Sequence, residues 1–389
     1  MSLTLFLVAG EASGDRLGAA LMAGLKTLRP DVAFHGIGGP RMQAEGLQTL
    51  FPMEALSVMG LVEVLPKLRQ LFALKRQAAE AAVALAPDAL ITIDSPDFCL
   101  RVARQVHGSA PGIRTMHYVA PSVWAWRPGR AAKMARHVDH VLALLPFEPP
   151  YMQAAGMTCD FVGHPVVGEP VASDAEAAEF RARHAIAPGA PLVLLLPGSR
   201  KGEVARHIGP FGETLTRLVH KNPDLRAVVP TVPHVAPILR KAVRGWPARP
   251  ILLDPADAPD SHAADKRAAY RAADAALAAS GTVSLELAAS GTPMVIAYDM
   301  NRLSFRLMKR MARIDTVTLV NLVSDSRAIP DFLGPDCRAD RIAPALEKVL
   351  MDPAARAAQA EAMTLTMQRL GQGGEAPGLR AARSVLAHL

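Results

Sequence analysis

Cysteine is scarce in this 389-residue chain. Cys99, Cys159 and Cys337 stand far apart with no CxxC. That spacing argues against a cysteine-built metal site and fits a reducing compartment. Aromatic residues are also few, at 5%. No apolar stretch approaches the ~20 residues of a transmembrane helix. The N-terminus, MSLTLFLVAGEASGD, has no basic leader, and its apolar run breaks at Gly10-Glu11, so we do not read it as a secretion signal. On these absences we expect a cytoplasmic protein, with any membrane contact peripheral. Two nucleotide fingerprints are missing as well. There is no GxxxxGK[ST], and GIGGP (36–40) does not fit GxGxxG. His137 and His140 in HVDH lack a third ligand in view, so we expect no metal and no cofactor.

What is present is apolar and alternating. Half of the residues are hydrophobic, enough for two cores, and the length suits two or three domains. The formal charge of +7 leaves nucleic acid, anionic lipid and phosphorylated substrates all open. Strand signals at 3–9, 32–37, 89–93, 114–119 and 140–145 alternate with helical patterns at 13–28, 64–85 and 98–107. Ser13 is placed to cap the first of these helices and Asp97 the last. The stretch 161–174, with two prolines and two glycines, reads as a linker. The alternation then restarts, with strands at 191–197, 225–230, 250–253, 273–279 and 293–298 and helices at 202–221, 235–244 and 265–271. Continuous apolar strands between helices indicate parallel sheets covered on both faces. We expect an α/β protein with domains over 1–165 and 175–337, and a helical tail over 338–389 that packs back on the first domain. A cleft between two such domains would suit a ligand.

Three loops carry chemistry. GSRKGEV (198–204) follows a strand and opens a helix, so Gly198, Ser199 and Arg200 form a candidate anion site; an ordinary helix start is the alternative. ASGTVSLELA (279–288) repeats the arrangement with Gly281 and Thr282. Glu286 lies four residues after Thr282 on the same helical face, where it can meet ribose hydroxyls; a capping threonine and a solvated glutamate are the alternative. In the third loop, ALITIDSPDF (89–98), a buried strand ends on two carboxylates. If it shares a sheet with strand 3–9, then Glu11, Ser13, Asp15, Asp94 and Asp97 ring one end of the first domain. Asp94, directly at the strand end, is the better candidate for a general base. Trp124 and Trp126 in VWAWRPG are either core or the lining of a sugar or acyl site.

Residues 56–77 mix Met59, Val62, Leu65, Leu68, Leu71 and Phe72 with Lys67, Arg69, Lys75 and Arg76. Such a segment can dock on anionic lipid or face a core. SFRLMKRMAR (304–313) is similarly basic.

Taken in order, AGEASGD, SVMGLVEVL, DSPDF, YVAPSVWAW, LLPFEP, FVGHP, LLPGSRKGEV and SGTVSLELA resemble the strings of the lipid-A-disaccharide synthase family. The resemblance runs from near residue 5 to about residue 350. It implies a GT-B architecture of two Rossmann-like domains facing across a cleft, and inverting transfer without an essential metal. The implied donor is UDP-2,3-diacylglucosamine and the acceptor 2,3-diacylglucosamine 1-phosphate (lipid X). The products are a β-1,6-linked disaccharide 1-phosphate and UDP. The family's catalytic aspartate falls on Asp94. Its diphosphate-binding arginine falls on Arg200, its nucleotide-binding glutamate on Glu286, and its acceptor-side carboxylate and hydroxyl on Glu11 and Ser13. Asp97 and Trp124 join the acceptor side, and Gly198, Ser199, Gly281 and Thr282 the UDP side. Asn321 matches a family asparagine usually preceded by proline; here Val320 precedes it. The acyl chains give 56–77 a reason to dock on the inner membrane's cytoplasmic face. A second copy of the chain is a candidate partner, and nucleic acid is not.

Two other readings compete. Another UDP-sugar enzyme of this fold, such as a lipid-linked N-acetylglucosaminyltransferase or a UDP-sugar 2-epimerase, would keep the second-domain loops but not AGEASGD and DSPDF. A two-lobed solute-binding protein would need a secretion signal and no catalytic Asp94.

Overall fold

Ala89–Ile93 is buried at every position, and so is Leu192–Leu196. Strands of this kind belong in the middle of a sheet covered on both faces. The chain builds two such sheets, one in each of two compact units: Met1–Gly168 with Gly373–Leu389, and Glu169–Gln372. The computed structural model describes the backbone of residues 3–56 and 61–389, and their side chains except at 61–68 and 302–304.

The first unit contains β1 (Thr4–Ala9), α1 (Ala12–Leu28), β2 (Ala33–Ile37), α2 (Pro40–Ala44), β3 (Gln48–Thr49), α3 (Leu61–Leu85), β4 (Ala89–Ile93) and α4 (Pro96–Ser109). It continues with β5 (Arg114–Tyr118), α5 (Gly129–Met134), β6 (His140–Ala143), α6 (Pro149–Gln153) and β7 (Thr158–Phe161). The sheet order is β3-β2-β1-β4-β5-β6-β7, with every pairing parallel. Side chains alternate between its faces. Phe6, Val8 and Leu90 meet Cys99, Val102 and Val106 of α4 on one face. Leu5, Leu7, Ile91 and Ile93 meet Leu17, Leu21 and Leu25 of α1 on the other.

The second unit contains α7 (Asp174–Arg183), β8 (Leu192–Leu196), α8 (Lys201–Lys221), β9 (Arg226–Pro230), α9 (Ala236–Val243), β10 (Ile251–Leu253), α10 (His262–Ala272) and β11 (Ala275–Ala278). Then come α11 (Val283–Ala289), β12 (Met294–Tyr298), α12 (Arg302–Met311), α13 (Leu319–Ser324), β13 (Asp331–Leu333), α14 (Ala339–Met351) and α15 (Pro353–Arg369). Its sheet runs β10-β9-β8-β11-β12-β13, again parallel.

Register places the chemistry. Ala9 of β1 pairs with Ile93 of β4, and Leu196 of β8 with Ala278 of β11. Each pair stands where the strand order reverses, the position at which open α/β sheets bind ligands beyond their carboxyl ends.

The helical stretch 338–389 divides. Helices α14 and α15 pack on α8, α11 and α13 within the second unit. Only α16 (Pro377–Ala387) joins the first unit, where it packs on α1. The two helices cross on glycines: a Cβ at Gly24 would lie 2.6 Å from the Gly378 carbonyl oxygen. Beside this crossing, the His140 ring of β6 stacks on His388 at 3.7 Å, and its Nε2 is 2.8 Å from Ser384 Oγ. Among the described residues, no helix is long and apolar enough to cross a membrane.

Candidate functional site

In the first unit, β4 ends in a left-handed turn. Asp94 has φ of +53° and Ser95 +40°, a conformation that side chains other than glycine rarely adopt. Such local strain costs about 1–3 kcal/mol and concentrates at functional sites. The Asp94 backbone N–H donates to the Tyr118 carbonyl at 2.9 Å, which anchors the turn to β5. Ser13 Oγ donates to Asp94 Oδ2 at 2.6 Å, so the first turn of α1 and the loop after β4 meet through these two side chains.

The neighbouring residues differ from the capping expectations. Helix α1 starts at Ala12 with Glu11 in the N-cap position, and Ser13 serves Asp94 instead of capping. Glu11 is exposed and its side chain makes no capping bond. Ser95, not Asp97, occupies the N-cap position of α4. Asp97 sits in the first turn, with its side chain 95% exposed and 3.6 Å from Arg130. Asp15 is turned away from the group: its carboxylate accepts the backbone N–H groups of Arg41 (3.1 Å) and Met42 (3.0 Å) and so fixes the start of α2.

Trp124 is buried under its loop. Its Nε1 donates to Glu148 Oε1 at 3.2 Å, and its ring meets Phe147 edge-on at 5.1 Å. Glu148 also accepts from the backbone N–H of Leu144 (3.1 Å) and Leu145 (2.9 Å). Burial pushes its pKa up to about 7, while those hydrogen bonds oppose the shift. Trp126 is half-buried and carries Arg127 over its ring at 4.2 Å.

In the second unit, Gly198 has φ of +114°, and a Cβ there would lie 3.0 Å from Glu203. Glu203 reaches back under the loop: Oε2 accepts the Arg200 backbone N–H (3.3 Å) and Oε1 the Arg200 guanidinium (2.9 Å). His234 Nε2 lies 2.5 Å from the Ser199 carbonyl. His207 is fully buried, with Nδ1 2.7 Å from the Pro197 carbonyl and Nε2 accepting from the Asp299 N–H at 2.9 Å. It therefore ties the end of β8 to the end of β12, and its burial lowers its pKa, which preserves the neutral ring this bridge needs.

Gly281 and Thr282 are exposed at the loop after β11, and Thr282 makes no side-chain cap. Glu286 is half-buried and paired with Lys266 at 2.7 Å. Asn321, expected on the UDP side, is held within its own loop. It is 1% exposed, and its amide is spent on Thr316 Oγ1 (3.1 Å) and both backbone groups of Ile329 (2.8 and 3.0 Å). It braces its own loop.

Of the segment 56–77, Met59 lies outside the described residues, and so do the side chains of Val62, Leu65 and Leu68. Leu71 is half-buried, and Phe72 is 50% exposed with Lys75 Nζ 5.7 Å from its ring centroid. His140, Asp160 and His388 bring three donor atoms within 4.8 Å of one another. The stacked rings, only 16° from parallel, keep the histidine lone pairs from converging on one ion.

The residues missed from sequence are Lys266, His207 and His234, whose partners lie on other elements. Glu203 had a signal, since an acid three residues after a helix-starting position marks a capping box.

The family model described as lipid-A-disaccharide synthetase matches residues 5–378. The chain belongs to this family. The lipid-A-disaccharide synthase of Ruegeria pomeroyi is 61% identical over 388 residues, covering 99% of this chain and 95% of that one. The lipid-A-disaccharide synthase of Rhodospirillum centenum is 48% identical over 385 residues, covering 99% and 94%. Among solved structures, UDP-GlcNAc 2-epimerase from Neisseria meningitidis bound to UDP-GlcNAc aligns with a TM-score of 0.63 at 11% identity, covering 99% of this chain and 98% of that one. The calicheamicin glycosyltransferase CalG4 aligns at 0.58 and 15% identity, covering 100% and 98%. At these identities the structures speak for the fold alone, which is the GT-B class of two Rossmann-like domains in one chain.

Proposed function

We propose that Asp94 is the general base of an inverting glycosyl transfer from UDP-2,3-diacylglucosamine to 2,3-diacylglucosamine 1-phosphate. Family membership across nearly the whole chain makes the protein a glycosyltransferase of lipid A assembly. The observation that carries the mechanism is the Ser13–Asp94 hydrogen bond at the first unit's strand-order reversal.

In this reading Ser13 fixes Oδ2, and Oδ1 takes the proton of the acceptor's 6-hydroxyl. The freed oxygen pair attacks the anomeric carbon from the face opposite the nucleotide. The bond from that carbon to the phosphate oxygen breaks, and UDP leaves with the electron pair. Arg200 and the backbone N–H groups around Gly198 and Ser199 suit the charge that grows on the diphosphate. Gly281 and Thr282 add backbone donors, and Glu286 offers a carboxylate to the ribose hydroxyls. Glu11 and the exposed Asp97 stand on the acceptor side, where Trp124 and Glu148 hold the loop after β5 in shape. Phe72 and Lys75 support peripheral docking on the cytoplasmic face of the inner membrane, an apolar ring beside a cation. Exposed Leu307 and Met308 beside Lys309 and Arg310 of α12 support it too.

UDP release in detergent tests the reading. Release that requires both lipids together is expected. Release from the donor alone at the same rate would make the protein a hydrolase, and no release by the folded protein would reject the transfer.

A further inference from the structure

We propose that Lys266 is a positioning residue of the nucleotide site, setting the Glu286 carboxylate for the ribose hydroxyls. The inference rests on the reading of Glu286 given above and adds a residue on a different helix.

Lys266 lies on α10 and Glu286 on α11, twenty residues apart, with Nζ 2.7 Å from Oε2. The ammonium also sits 5.1 Å from the centroid of the Tyr270 ring, one helical turn along α10. Tyr270 is 3% exposed, so it gives the lysine a fixed platform. A lysine held by a ring face and a carboxylate together loses much of the rotamer freedom that makes surface pairs weak. Among the described residues, Oε2 has this partner and Oε1 has no hydrogen bond.

That asymmetry has a chemical use. An ionised carboxylate only accepts hydrogen bonds, and a vicinal diol donates two. With Oε2 pinned by the ammonium, Oε1 is presented in one orientation to the diol. The side chains of Lys266 and Glu286 are 36% and 42% exposed, so the pair contributes little to stability and its loss should leave the protein folded.

The test compares two probes, UDP and 2′,3′-dideoxy-UDP, by calorimetry on the full chain. Lys266→Met should weaken UDP binding by about tenfold and leave the dideoxy nucleotide unchanged. Lys266→Arg should restore most of the loss, and Lys266→Met should add nothing in a Glu286→Gln background. Equal weakening of both probes would overturn the proposal in favour of a diphosphate contact or a general structural role. So would unchanged UDP affinity in Lys266→Met while Glu286→Gln erases the preference for UDP. If Glu286→Gln itself keeps that preference, the reading of Glu286 falls, and Lys266 falls with it.

Discussion

The two units share a plan and differ in chemistry. Both are parallel sheets whose strand order reverses once near the middle, between β1 and β4 and between β8 and β11. At the first reversal the start of α1 and the loop after β4 bring a hydroxyl and a carboxylate together, on backbone bent left-handed at Asp94 and Ser95 despite their side chains. At the second, the positive-φ positions are the glycines Gly198 and Gly281, and the cations Arg200 and Lys266 are each paired with an acid. The fold supplies the same edge twice, and residue type sets what each edge offers: in the proposed reading, a base at the first and a phosphate site at the second.

The largest effect should come from the first edge. Asp94→Asn should cut turnover by about 10²- to 10⁴-fold in the UDP-release assay, with a wild-type melting curve. Turnover within a few-fold of wild type would remove Asp94 from the chemistry. Arg200→Ala should follow, with kcat/KM for the donor falling by about 10²-fold and the acceptor KM unmoved. An equal rise in both KM values would blur the division between the units.

Stability should separate the units next. Gly24→Ala places a methyl against the Gly378 carbonyl. A cost of about 1–3 kcal/mol is expected, with hydrogen exchange rising in α1 and α16 and not in β8–β13. Exchange rising evenly through both sheets would contradict that localisation.

The smallest effect is graded with pH. Burial pushes His117, His140 and His164 of the first unit down to about 4. The unfolded chain takes up these protons below the ordinary value of about 6.5, and the folded unit does not until about 4. Their stabilising contribution is therefore lost as pH falls from about 6.5 towards 4. Glu148, raised to about 7, works the other way and gains as pH falls from 7 towards its ordinary range. Three histidines outweigh one carboxyl, so the protection of β4–β6 amides, relative to their intrinsic exchange at each pH, should fall on acidification more than that of β8–β12. A flat response in β4–β6 would show that the rings are not held neutral.

Much of the fold was legible because its strands are continuous apolar runs, as in ALITI and LVLLL, bounded by glycine, proline or aspartate. The strands that escaped, β3, β7 and β13, are short and lie on or near sheet edges, where half-buried residues carry little pattern. The position of Asp94 directly after a strand was legible, and so was that of Arg200 between a strand and a helix. Ser13 and Asp97 were read as caps and are not, and the loop-bracing bonds of Asn321 were not foreseen, because such roles depend on which partner the fold brings close. Lys266 and His207 carried no sequence signal, since their partners are Glu286 on another helix and backbone groups at the ends of two strands.

Calorimetric UDP affinity, measured on Asp94→Asn and Arg200→Ala side by side, tests the division of labour most directly. The account predicts a wild-type Kd for Asp94→Asn and a Kd weakened by about tenfold or more for Arg200→Ala. Equal weakening in both variants would contradict it, because the base would then belong to the nucleotide site.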